Sequence, residues 1–283
     1  MADPGKRLAA NAAGEFYVDS SCIDCDLCRQ IAPEVFVREA GASVVRRQPE
    51  QPDEVLAAEK ALVTCPTASI GTATKRNLEA AIAAYPERLD GDVHFSGFSS
   101  ASSYGAASYL IVRPEGNVLI DSPRFALPLV RRLEAMGGVR LMVLTHRDDV
   151  ADHARFREHF RCDRIIHEAD AEFAPERSIS GTEPVALSDD LLVLPTPGHT
   201  PGHLALLYRK KYLFTGDHLA WDSEEGRLDA FEDYCWHSWE EQRRSMERLR
   251  EHPFEWVLPG HGARHPAPAP EMRGLLESLI RRM

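Results

Sequence analysis

Four separated turns in the second half of this chain each carry residues able to bind a metal ion, and any fold must bring those turns to one place. The first is Thr145-His146-Arg147-Asp148-Asp149-Val150-Ala151-Asp152-His153. It follows the apolar run 139–144, which reads as a buried strand, and precedes a helical pattern over about 151–160. The others are His199 in Thr196-Pro197-Gly198-His199-Thr200-Pro201-Gly202-His203, Asp217 in Phe214-Thr215-Gly216-Asp217, and His261 in Leu258-Pro259-Gly260-His261-Gly262. Imidazole and carboxylate are ligands for zinc, iron and manganese. One such residue alone would be unremarkable, whereas the set predicts a metal site. Ligands at the ends of strands along one edge are what a two-sheet sandwich with outer helices provides.

The cysteines mark a second site. Six cysteines would allow three disulfides, but four of them fall within residues 22–65. Cys22, Cys25 and Cys28 form C-x-x-C-x-x-C, and Cys65-Pro66 supplies a fourth thiolate. This spacing suits an iron–sulfur cube. In two-cluster ferredoxins the local run continues to another cysteine that serves the other cluster. Here Ala32 stands at that position before Pro33, and no second triple-cysteine run precedes Cys65. The segment therefore resembles a ferredoxin holding one 4Fe–4S cluster on Cys22, Cys25, Cys28 and Cys65. A structural zinc site is the competing reading, but such sites usually pair two C-x-x-C knuckles. Cys162 reads as a small buried residue, and Cys235 as a packing residue beside the pocket candidates below.

The four turns together resemble the metallo-β-lactamase fold family, in its glyoxalase II-like and flavodiiron-like branches. That family carries H-x-H-x-D-H, or H-x-E-x-D-H in the flavodiiron reductases, followed by PGHT, GD and PGHG motifs. The last three are matched by residues 197–200, 216–217 and 259–262, and the first at both ends by His146 and by Asp152-His153. The middle of the first motif is two residues too long. The resemblance implies that His146 and His199 bind one metal, that Asp152, His153 and His261 bind the other, and that Asp217 bridges them. It casts Asp217 and Asp152 as the catalytic carboxylates. Asp148 stands where the family places its second ligand, and extended backbone would return its side chain toward that of His146. Asp149 would point away and cap the following helix. A carboxylate in that place suits non-haem iron at least as well as zinc, with manganese also admitted. His203 is expected to support the site rather than bind. His94, His159, His167, His218, His237, His252 and His265 read as surface or pocket wall. Tyr234, Trp236 and His237 precede the helix that leads toward His261 and are the candidates for a substrate pocket.

The remaining sequence sets the frame. The expected class is α+β, an αββα metallo-β-lactamase sandwich preceded by a small ferredoxin-like α+β domain. The expected limits are a loose N-terminus over 1–13, the ferredoxin-like domain over 14–72, a linker over 73–91, and the metal-binding domain over 92–283. Helices are expected over 53–63, capped by Asp53, and over 77–84, 124–136, 239–251 and 272–283, with a short one near 168–173. A net charge of −11 argues against a nucleic-acid partner. The N-terminus lacks the apolar core of a signal peptide, and no apolar run nears the roughly 18 residues of a membrane span, so a cytoplasmic protein is expected. Three functions fit. The favoured one is an electron-coupled enzyme with a small-molecule substrate, a dinuclear iron site and a redox partner feeding the cluster. The second is a metal-dependent hydrolase of ester or thioester bonds with a structural or redox-sensing cluster. The third is a non-enzymatic redox sensor.

Overall fold

A computed structural model of the protein describes residues 2–283, in two compact units that interleave along the chain. The first takes in the chain up to Asn117, then Ser122–Val139 and Ala151–Phe160. The second takes in Val118–Asp121, Arg140–Val150 and Arg161–Met283. No helix among the described residues is long and apolar enough to cross a membrane.

In the first unit the strands Phe16–Val18 and Ile70–Thr72 pair antiparallel, as do Phe36–Glu39 and Ala42–Val45. With the helix Pro52–Thr64 they enclose a small core of Phe16, Val18, Val35, Phe36, Val45, Ala58, Ala61 and Ile70. The helix starts at Pro52, where a missing N–H costs nothing, and Glu54 returns its carboxylate to the Gln51 amide at 3.3 Å. The cap is therefore Gln51, not Asp53, which lies within the first turn. The N-terminal residues expected to be loose are tied down. Leu8 N donates to Val18 O at 3.0 Å and Ala12 N to Val45 O at 2.7 Å. Asn11 Oδ1 accepts from the amides of both Val18 and Val45 at 3.0 Å, so one side chain satisfies donors in two strand pairs.

Further along the first unit, Glu87–Asp90, Val93–Phe95 and Tyr109–Ile111 form three antiparallel strands. The first of these lies in the stretch expected to be linker. The helix Leu127–Ala135 begins three residues later than its spacing predicts, because Ala126 is still extended and Pro128 sits in the first turn. The helix after the metal turn spans His153–Phe160 and starts late for a similar reason. Ala151 has φ of 29°, outside the helical region, so the helix cannot begin there.

The second unit holds two sheets. In one, Val118–Ile120, Leu141–Val143, Asp163–His167 and Arg177–Ile179 run parallel in that order. Parallel neighbours finish at the same edge, so Asp121 and the Thr145-His146 turn emerge together. The other sheet has the order Val185–Ser188, Leu191–Pro195, Leu204–Tyr208, Tyr212–Gly216, Trp256–Pro259, His265–Pro266. Its strands Tyr212–Gly216 and Trp256–Pro259 are parallel with Gly216 opposite Pro259, which delivers Asp217 and His261 side by side. The sheet buries Leu207, Leu213 and Val257 against Met246 and Leu249 of the helix Trp239–Leu249 and against Met272, Leu276 and Leu279 of the helix Ala269–Ile280. Each such side chain contributes about 1.5–3 kcal/mol of burial. The segment 168–173 forms only a 3-10 turn, Glu168–Asp170, instead of the expected helix. Asp170 is drawn away to accept from Gly202 N at 2.8 Å and from Thr200 Oγ1.

The helix Trp239–Leu249 also holds the His199 loop. Ser238 N donates to Gly198 O at 2.9 Å, and Ser245 Oγ donates to Pro197 O at 2.7 Å. Gly198 has φ of +153°, and a Cβ there would stand 2.4 Å from the Cα of Gln242. Gly198→Ala is therefore expected to cost about 2 kcal/mol or more. Thermal unfolding measures this, and a variant melting with the native protein would show that the loop and helix are not in tight register.

Candidate metal centre and cluster site

The second unit gathers ligand-type side chains at the common edge of its strands. His146 and His199 are buried, with ring centroids 4.9 Å apart. Their Nε2 atoms lie 3.9 and 3.8 Å from Asp148 Oδ2, and 3.7 and 3.9 Å from Asp217 Oδ2. Those gaps are too long for hydrogen bonds. They suit donors arranged around an ion, since two atoms each about 2.1 Å from a metal stand about 3–4 Å apart. Neither Nε2 has a hydrogen-bond partner among the described residues. His261 Nδ1 lies 2.8 Å from Asp217 Oδ2, and its amide donates to Asp217 Oδ1 at 3.1 Å.

Asp149 corrects the expectation that it caps a helix. It is 1% exposed, and neither carboxylate oxygen has a hydrogen-bond partner among the described residues. One ligand atom each from His146, Asp149 and Asp217 lie within 4.8 Å of one another. The reason is local: the residues Arg147–Asp149 wind into a 3-10 turn, which swings Asp149 inward instead of letting it alternate outward. A Cβ on Gly260 would stand 2.6 Å from Asp217 Oδ1 and 2.7 Å from Asp149 Oδ2, so the bare glycine backbone leaves room for both carboxylates. Asp148 is 48% exposed and opens toward solvent. Asp152 and His153 fall in the first unit, where Asp152 Oδ2 accepts from Phe125 N at 2.7 Å and His153 opens the helix.

Charge and burial pull against each other here. Burial pushes Asp121 up to about 8, against hydrogen bonds from the Thr145 amide at 2.7 Å and hydroxyl at 3.0 Å. Burial and the nearby Asp217 charge raise Asp149 well above the carboxylate range. Burial would raise Asp217 too, but His261, His146 and His199 hold it below its ordinary value. Burial lowers the His146 imidazole to about 4. With its proton given to Asp121, Thr145 Oγ1 accepts from His146 Nδ1 at 3.0 Å, which leaves the lone pair on Nε2. Buried, unpartnered nitrogens and carboxylates of this kind fit bound cations.

Several supporting residues were not legible in sequence. Asp121 orients His146 through Thr145, and its only signal is an acid directly after an apolar strand. Asp170 ties Arg147 N at 3.2 Å to Gly202 N, joining two of the four turns. His203 supports the site through Thr196 Oγ1 at 2.9 Å from its Nδ1. His218, read as surface or pocket wall, is 1% exposed, stacks on His203 at 5.1 Å, and is pulled down to about 3 by burial. The turn from Thr215 folds it inward, with His218 N donating to Thr215 O at 3.1 Å. His167 is also buried, 3.0 Å from Gly181 O. Tyr234 and Trp236 are 62% and 61% exposed, and Trp236 lies 6.3 Å from the His199 ring. Next to them His237 pairs with Glu241 at 3.2 Å, and Cys235 Sγ donates to Gly198 O at 3.2 Å.

In the first unit Cys22, Cys25, Cys28 and Cys65 line one small cavity with Val18, Leu27, Pro66 and Ile70. Burial pushes the Cys25 thiol up to about 12 and raises Cys28 as well. Such thiols ionise only with strong compensation, which bound iron supplies. Backbone amides already aim at the sulfurs, Ser43 N at 3.4 Å from Cys22 Sγ and Ser69 N at 3.3 Å from Cys65 Sγ. Arg29 secures the loop by donating to Asp24 at 2.7 Å, to Asp26 and to Ser43. The four thiols and their donors fit an iron–sulfur cluster.

Comparison with known proteins agrees with both halves. A model of the metallo-beta-lactamase superfamily matches residues 89–262, more than half of the chain. A model of the 4Fe–4S single cluster domain of ferredoxin I matches residues 18–72. Among solved structures, VMB-1 is 18% identical, with 68% of this chain and 95% of that one covered and a TM-score of 0.51. A metallo-beta-lactamase from Pontibacter korlensis is 20% identical, with 69% and 98% covered and a TM-score of 0.50. These likenesses concern the fold alone. Among curated proteins no sequence matches.

Two predictions follow from these sites. Anaerobically purified protein is expected to hold about four inorganic sulfides per chain, and Cys65→Ser to lose them; zinc without sulfide would refute the cluster. Asp149→Asn is expected to lower bound metal from about two ions per chain toward one. With chelator present the same variant should melt above the native protein, because it removes a buried carboxylate without a partner. Unchanged metal content with a loss of about 1 kcal/mol would instead return Asp149 to a capping role.

Proposed function

The chain belongs to the metallo-β-lactamase superfamily, and on that premise we propose that it is an electron-coupled dinuclear metal enzyme acting on a small molecule. The carrying observation is the acid-rich donor set: Asp148 beside His146 and His199, and Asp149 beside Asp217 and His261. Carboxylates in such number, with only three imidazoles, suit iron at least as well as zinc. The ferredoxin segment supports the same reading, because hydrolysis requires no electrons.

In this reading His146, Asp148 and His199 would hold one ion, and Asp149, Asp217 and His261 the other. Bound iron would supply Lewis acidity and one-electron chemistry. The chain's own groups do the rest. Thr145 and Asp121 keep His146 in the tautomer that presents Nε2. Asp217 accepts from His261 and faces both His146 and His199, so it would be shared between the two sets of donors. Asp148, half exposed, marks the open side where substrate enters, and Tyr234 and Trp236 offer it an aromatic lip. Cys22, Cys25, Cys28 and Cys65 would hold the cluster, which would supply a place for electrons from a redox partner. Cluster thiolates of this kind belong in a reducing compartment, which favours the cytoplasm.

A second reading is hydrolysis of an ester or thioester bond. It is favoured by the same paired donors, which with zinc would activate water and stabilise charge on the attacking and leaving oxygens. Anaerobic purification with metal analysis and electron paramagnetic resonance separates the readings. Iron at both sites, with the metal pair becoming reduced after the cluster, is the expected result. Zinc in the metal pair would favour hydrolysis, and a second unit without metal would leave a redox sensor.

A further inference from the structure

The loop 121–126 makes contacts in both directions that the reading above does not use. At its start, buried Asp121 accepts from Thr145, whose hydroxyl lies 3.0 Å from His146 Nδ1. At its end, Arg124 Nη2 donates to Val63 O at 3.2 Å, and Arg124 N donates to Phe98 O at 2.8 Å. The next amide, Phe125 N, donates to Asp152 Oδ2 at 2.7 Å. Val63 stands two residues before the cluster residue Cys65, and Asp152 directly precedes His153. Each hydrogen bond lies within one compact unit, and the covalent chain from Asp121 to Arg124 joins them.

Arg124 has an ordinary structural use. Val63 O belongs to the last turn of the helix Pro52–Thr64, where carbonyls lack helical donors and a cation is favoured. A cap alone, however, does not call for a loop that also grips Thr145 and Asp152. The resulting route runs from Cys65 through two peptide units to Val63 O, across one hydrogen bond to Arg124, and along the backbone. One further hydrogen bond then reaches Asp152, and two reach His146. Electron tunnelling decays more slowly along covalent and hydrogen bonds than across van der Waals gaps.

We propose that loop 121–125 is the coupling element between the cluster and the metal centre, with Arg124 as the positioning residue at its cluster end. This rests on the electron-coupled reading. The step is one electron, received by the cluster from a low-potential one-electron donor and passed to an oxidised iron of the metal pair. No bond forms or breaks and no proton is required.

The test uses the full chain, anaerobically loaded at both sites, as native protein and as Arg124→Met and Arg124→Lys. Dithionite serves as donor. Stopped-flow absorbance follows the cluster, and freeze-quench paramagnetic resonance follows the metal pair. In Arg124→Met the cluster should be reduced at the native rate, with transfer to the metal pair slowed about two- to thirtyfold, the range for single substitutions in coupled networks. Arg124→Lys retains a donor and should fall between. A purely structural cap would lower the melting temperature and leave transfer unchanged. Native transfer rates in both variants, or in Arg124→Lys alone if Arg124→Met does not fold, overturn the proposal while the electron-coupled reading stands. If the native chain itself passes no electron to the metal pair, that reading falls and the coupling role with it.

Discussion

Charge that burial alone cannot tolerate is the constraint on which this protein depends. Asp121 and Asp149 lie in the interior of the second unit with His146, His199, His203 and His218, and Asp217 is half-buried beside them. Burial raises two of those acids and lowers three of those imidazoles. An apolar core would be cheaper to build, so these groups mark where the sequence departs from stability for the sake of chemistry. The thiols of the first unit repeat the theme, since desolvation raises half-buried Cys25 and buried Cys28. Bound cations at these donors would offset that cost and add to stability.

The surrounding structure is arranged to hold that interior still. The His199 loop is gripped by Ser238, Ser245 and Cys235, and tied through Asp170 to the turn that carries His146. Asp217 and His261 need less support, because neighbouring parallel strands already deliver them together. Rigid elements thus place most of the donors, and side-chain hydrogen bonds correct the orientation of the rest.

Much of this was legible in the sequence, because strands that end in His or Asp announce themselves. His146, His199, Asp217 and His261 each follow an apolar run or a Pro-Gly turn, and the four cysteines announce themselves by spacing. The fate of Asp149 was not legible. Two-residue alternation holds only in extended chain, and a 3-10 turn followed by a left-handed Ala151 breaks it. Asp121 and Asp170 escaped for another reason: each acts on a backbone or hydroxyl donor distant in sequence, which no local pattern records. Composition points to a loose N-terminal segment, yet Asn11 ties it to two strands at once.

The interleaving of the two units has a consequence for how the protein is made. The ribosome releases Val118–Asp121 of the second unit before the first unit has received Ser122–Val139 and Ala151–Phe160. Neither unit is complete when the last cysteine of the cluster emerges, and the first is finished only after Phe160 has been synthesised. The nascent chain must keep its thiols, and the strand segments made in that interval, from pairing wrongly until then. A chain divided between residues 72 and 89 would therefore split the first compact unit, whose segments extend to Phe160.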